Sequence, residues 1–349
     1  VRNQSGDRCF TCGNYVYFTA KDSLGEEIWR TDGTPGGTIR VKDLNPGSGD
    51  GVLEHDPVWC INGIAYFRSI SGLLWKTNGT ETGTSQVTQS FVAQGGLWPL
   101  KDKMYFVTTN QTLFVTSGAV NAESQLYLTT IESGLFYKVL AVEAGLDYIY
   151  TIINIYNNVD VNRIELWRID GTANGSQKVR ELPANPGYPF YKFFKIIQNK
   201  VYFYGWDPTH GYELWSSDGT EAGTSMVADL TPGTNSSQIY YSSVYNNKLI
   251  FDFNNSDTYV SDGTASGTVK LLGSIFHFVG REYQNSFYYL GIQNSGQVSL
   301  VKTDGTVPGT QVIDNLGQSR FSDEFLVINN KLLFRYEDSV AGVELGITN

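Results

Sequence analysis

Short runs of aromatic and branched residues, bounded by Gly, Asn or Asp, recur along this chain, and a helical period is nearly absent. The pattern is clearest at Tyr212–Gly233, YELWSSDGTEAGTSMVADLTPG. Leu214 and Trp215 belong to a strand, where such side chains suit a half-buried pleated surface. Asp218-Gly219 opens a tight turn. Gly219 and Gly223 are expected to supply positive φ, and Asp218 or Thr220 to bond nearby backbone N–H groups. Met226 and Val227 begin the return strand, which Pro232-Gly233 ends. Copies of this unit begin at Glu27, Leu73, Glu165, Thr258 and Ser299.

A second marker precedes each copy: an Asn- or Asp-containing turn followed by an aromatic strand. It occurs at Asn14, Asn62, Asp102, Asp147, Asn199, Asn247, Asn285 and Asn330, a period of about 45 residues. One unit then reads as four antiparallel strands. These are an inner strand such as Phe193–Ile197, the aromatic strand, the ELW strand and an outer strand after the DGT turn. That is the pattern of a propeller blade. The expected fold is all-β, a single β-propeller domain over 1–349. Its blades are about 9–50, 51–92, 93–132, 133–187, 188–235, 236–273, 274–316 and 317–349 plus 1–8. Eight blades are favoured, and seven follow if the degenerate third copy, where Ser117-Gly118 replaces Asp-Gly, is something else. The last unit stops at Glu344–Asn349 without an outer strand, and Val1–Asp7 resembles the end of one. The N-terminus is therefore expected to complete the last blade and close the ring.

Composition narrows the function. Tyr 22, Phe 19, Trp 7 and Gly 37, with 17% charged residues, describe a β-rich chain with ample core material. A net charge of −10 argues against nucleic acid, and no apolar run is long enough to span a bilayer. No signal peptide stands at Val1, as in a mature chain or an excised piece. Sequons at Asn3, Asn78, Asn110, Asn174, Asn235 and Asn254 point to a secreted, glycosylated protein, against the alternative of chance in an Asn/Ser/Thr-rich chain.

The motif ELWxxDGTxxGTxxVxD with its following Pro-Gly resembles the ELWxxDGT repeat family, whose members are large secreted or surface proteins. The resemblance covers Glu26 to Asp314 and is specific in the first, fourth and fifth copies, the fifth extending back through Thr209-His210-Gly211. Tyr259, Val301 and Gly346 depart from it where Trp is expected, and Phe114 sits in a copy without DGT. It implies a propeller and an extracellular setting, with no catalytic residues.

Candidate chemistry follows the repeats. Trp29, Trp75, Phe114, Trp167, Trp215 and Tyr259 recur at one position, which favours packing between blades over a sugar-stacking platform. Glu27, Glu165, Glu213 and Glu344 favour a structural hydrogen bond over a catalytic acid. The turn residues Asp32, Asp170, Asp218, Asp262 and Asp304 favour local capping, with calcium as the lesser reading; Asp43, Asp229 and Asp314 share that ambiguity. His55, His210 and His277 lack zinc-enzyme spacing, and Gly-x-Ser-x-Gly is absent. The insertion at Asn154–Asn162 reads as a solvated loop. Cys12 and Cys60 are expected at equivalent places on neighbouring inner strands; Cys12–Cys60 and Cys9–Cys12 are the open disulfide pairings. The expected role is an extracellular binding, adhesion or structural module whose partners are a glycan, a protein or further copies of itself. The rival is a secreted hydrolase or lyase acting on polysaccharide, with acids converging at the mouth of the channel.

Overall fold

The computed structural model describes residues 9–348 apart from 54–57, 91, 120–122, 127–134, 158–160, 173–174, 186–190, 255, 294, 318 and 339–341. The described residues contain no helix and form eight antiparallel sheets. The first sheet consists of Cys9–Cys12, Tyr15–Asp22, Gly25–Thr31 and Ile39–Arg40, paired in chain order. The next six repeat this order between residues 59–86, 92–125, 136–182, 192–228, 242–272 and 274–317. The degenerate third copy thus makes a sheet of its own. The eighth has three strands, Ser319–Ile328, Lys331–Asp338 and Gly342–Thr348. The fourth strand expected from Val1–Asp7 lies outside the described residues.

Turn chemistry sets this register. In five sheets the first hairpin turns on Asn62-Gly63, Gln198-Asn199, Asn246-Asn247, Gln284-Asn285 or Asn329-Asn330, all with φ between 47° and 77°. Two successive positive φ values define the turn that matches strand twist, and Asn and Gly tolerate them best. In the DGT turns only the first glycine is left-handed, as in Gly219 at φ 88°. The expected positive φ at Gly223 is not found. Gly223 is required because a Cβ there would stand 2.1 Å from Asp218 Oδ1.

The chain's contacts gather in two compact units. One is Val1–Asn162 with Trp167–Lys178, and the other is Arg163–Leu166 with Val179–Asn349. Within each, cores form between successive sheets. Tyr17 and Ile28 of the first sheet pack with Ala65, Phe67 and Trp75 of the second; Tyr66 and Leu74 of the second pack with Met104, Phe106 and Phe114 of the third. The other unit repeats this: Tyr202 and Leu214 pack with Phe251 and Tyr259, and Ile250 and Val260 with Tyr289 and Val301. The Leu of the ELW strand therefore faces the following sheet and the Trp faces the preceding one. Alternation along a strand demands this. The Trp also pairs across strands with the Phe of the aromatic strand, as in Phe203↔Trp215, Phe106↔Phe114 and Phe251↔Tyr259. In the eighth sheet Gly346 takes the Trp place, and the Phe334 ring lies over it. There the row Val343, Leu345, Ile347 is 57–60% exposed, whereas Leu74, Leu214 and Leu300 at the same place in other sheets are at most 1% exposed.

Cys12 and Cys60 are disulfide-bonded across the first two sheets, with Cα atoms 5.5 Å apart, and Cys9 is free and exposed. The expectation of equivalent positions needs correction. Cys12 pairs with Tyr15 at the turn, whereas Cys60 sits one pair further in, opposite Ala65. That offset of one residue is what allows the bond. Equivalent residues in successive sheets point the same way, so a bridge needs one from each face.

Candidate functional site

The fifth-copy turn is a closed network of hydroxyls and one carboxylate. Asp218 Oδ1 accepts from Thr220 N at 2.9 Å and Thr220 Oγ at 2.7 Å, and Thr220 Oγ accepts from Gly223 N at 3.0 Å. Beneath it the Ser217 and Thr224 hydroxyls share a hydrogen bond at 2.7 Å, and Gly219 N donates to Ser217. Asp32, Asp262 and Asp304 repeat the arrangement with Thr34, Thr264 and Thr306, and Asp170 bonds Thr172 in the same way. Hydrogen bonds from these threonines hold the carboxyls of Asp32, Asp170, Asp218, Asp262 and Asp304 below the usual range. In the second copy Asn78 makes the same two bonds to Thr80. The turn therefore needs the oxygen, not the charge. Among the described residues no group of three or more His, Cys, Asp or Glu side chains is placed to hold a metal.

The hydroxyl before the turn Asp was not singled out from the sequence. Its signal was present: Thr31, Thr77, Ser217, Ser261 and Thr303 each precede the turn residue and bond a Thr seven residues on.

A second set of carboxylates is buried or half-buried. Glu213, 0% exposed, accepts from Leu230 N, Thr231 N and Ser237 Oγ at 3.0, 3.3 and 2.6 Å. It thereby fixes the connection that leaves the fifth sheet. Glu27 takes Leu44 N in the first sheet. Glu123 takes Gln89 N and Ser90 N, and Asp252 takes Tyr240 N and Tyr241 N, at other connections. Burial pushes Glu27 and Glu213 up to about 7 each, and raises Asp252. Glu165 is buried against Arg163, whose Nε donates at 2.9 Å; Glu344 is half-buried opposite Tyr336.

The remaining candidates are scattered. His210 Nδ1 lies 2.9 Å from Asp207 Oδ2 in one hairpin, and that carboxylate raises the imidazole pKa. His55 lies outside the described residues, and His277 falls in the strand Ser274–Tyr283. Asp314 lies exposed in the strand Gln311–Gly317, and Asp229 follows Ser225–Ala228. The insertion expected as a solvated loop is instead strand over 154–156, with Ile155 1% exposed, and again from Val161, while 158–160 lie outside the described residues. Asn78, Asn110, Asn235 and Asn254 are exposed, while Asn3 and Asn174 lie outside the described residues.

Compared by sequence, the chain matches no family model and no curated protein. Compared by structure, it is similar to the Dos1 propeller, with TM-score 0.51 and 12% identity over 96% of this chain and 88% of that one. The fold is that of a β-propeller. The computationally designed Ika8 protein is similar at TM-score 0.50 and 13% identity, over 97% of this chain and 94% of that one. BamB from Moraxella catarrhalis reaches TM-score 0.47 at 14% identity, over 99% and 95%.

Proposed function

We propose that this chain is an extracellular binding or structural module of the ELWxxDGT type. It is built as an eight-bladed propeller whose last blade is completed by residues 1–8. Its loops present a surface to a glycan, a protein or further copies of the chain. The observation that carries this reading over a polysaccharide hydrolase or lyase is the use made of three buried acids and the half-buried Glu123. Glu27, Glu123, Glu213 and Asp252 each hold backbone N–H groups of a connection. A catalytic acid pair needs two carboxyls facing a substrate bond instead. The exposed sequons Asn78, Asn110, Asn235 and Asn254 and the Cys12–Cys60 bond support an oxidising, secretory setting. The test is to present the purified chain with a panel of polysaccharides, measuring retention and released sugar together. Retention without turnover is expected; release of reducing ends at catalytic rates sinks the reading in favour of the enzyme.

A further inference from the structure

The connection after the first sheet, Asp43–Gly51 (DLNPGSGDG), wraps the buried end of Glu27. Glu27 is 0% exposed, and its Oε1 is buried without a hydrogen-bond partner. Asp43 Oδ1 is likewise buried and unpartnered, and Asp43 is near enough for its charge to oppose ionisation of Glu27. The nearby basic groups are engaged elsewhere: Arg40 Nη1 binds Asp22 at 3.0 Å, and Lys21 Nζ binds Asp50 at 3.0 Å. The Asn45 backbone N–H also acts on the Glu27 carboxylate, but no well-formed hydrogen bond reaches Glu27 Oε1 or Asp43 Oδ1, and buried carboxylate oxygens so poorly supplied are costly unless a proton or a cation joins them.

The fifth sheet supplies an internal control. Gly51 N donates to Glu26 O and Ser237 N donates to Tyr212 O, both at 2.9 Å, so Gly51 and Ser237 hold the same place. There the Ser237 hydroxyl satisfies Glu213. Here the hydroxyl is missing, and the Glu27 carboxylate fills the space: a Cβ on Gly51 would lie 2.4 Å from both of its oxygens.

We propose that Glu27 and Asp43, with carbonyl oxygens of the 43–51 connection and water, bind a calcium ion. The donors are all hard oxygens, and calcium accepts carboxylate, carbonyl and water ligands in irregular numbers, so two carboxylates suffice. Magnesium demands near-ideal octahedral geometry, which a winding loop does not offer. With only two charged ligands the site belongs to the extracellular class, with Kd of about 10⁻⁴–10⁻³ M. This site does not depend on the functional reading above.

The test is thermal melting of the full chain in EDTA, in about 10 mM CaCl2 and in about 10 mM MgCl2, with Tb³⁺ luminescence as a second readout. Trp29, two residues along the strand from Glu27, serves as sensitiser. Calcium is expected to raise the wild-type melting temperature by about 2–4 °C. E27Q, D43N and G51S each lose that shift and the Tb³⁺ signal, whereas E213Q keeps both. G51S supplies the hydroxyl that Ser237 gives Glu213 but displaces a carboxylate 2.4 Å from its Cβ, so circular dichroism and the EDTA melting curve of each variant show that loss of the calcium shift is not loss of the fold. Absence of a calcium shift in the wild type, its survival in E27Q and D43N, or an equal shift with magnesium overturns the assignment.

Discussion

At the scale of single residues, the same side chain does opposite things according to burial. The turn aspartates are exposed, or half-buried at Asp170, bonded to their own threonines and held in the charged form. Glu213 makes a comparable number of bonds but is buried, and it titrates at about 7 against an ordinary 4.5. Between those values the folded state holds a proton that the unfolded state has lost. The stability Glu213 confers is therefore full below about pH 4.5 and is lost as pH rises through about 7. In EDTA the melting temperature should fall from pH 5 to 8, and E213Q should remove this residue's share, on the order of 2 kcal/mol. If E213Q leaves the slope unchanged, Glu213 is not titrating in that window. For the turns, Asn78 is nature's own substitution. D218N should change stability by less than about 0.5 kcal/mol, while D218A should cost about 1 kcal/mol through loss of both Thr220 bonds. Equal losses in a urea titration would mean that charge matters after all.

At the scale of elements, the repeat was legible because strand, turn and aromatic marker are local. Each hairpin is fixed by residues within about ten positions, so Asn247 and Trp215 announce their structures unaided. What was not legible depends on the stacking of one sheet on the next. The role of Gly223 needed the position of the Asp218 carboxylate, and the roles of Glu123 and Asp252 needed the path of the segments that lead into their own sheets, 89–90 and 240–241. The disulfide is the clearest instance. Counting from the Asn turns aligns Cys12 with Cys60, yet the first turn is Gly13-Asn14 and the second Asn62-Gly63, which shifts the register by one and turns the sulfurs towards each other. Peptide mapping without reduction should find Cys12 joined to Cys60 and Cys9 alkylable. The C12S/C60S variant should lose about 2–4 kcal/mol in the same titration. A Cys9–Cys12 peptide would contradict the packing of the first two sheets.

At the scale of the whole molecule, the repeated face defines what the last sheet lacks. Leu74, Leu214 and Leu300 are sealed by the sheet that follows, and Leu345 carries the same side chain at the same place while 60% exposed. A row of Val343, Leu345 and Ile347 beside an outer edge with no described fourth strand is costly in water and prone to association. The proposed completion of the propeller removes both exposures at once. If completion occurs in solution, L345K places an ammonium in an apolar seat and should destabilise the protein by several kcal/mol, as L214K does. If it does not, L345K is neutral, because a surface lysine costs almost nothing, and it improves solubility. The comparison of L345K with L214K by thermal melting, beside the mass of each species by light scattering, separates these outcomes. A neutral L345K in a monomer rules out the completed ring. A neutral L345K that also dissolves an oligomer shows that another copy of the chain had been covering the face.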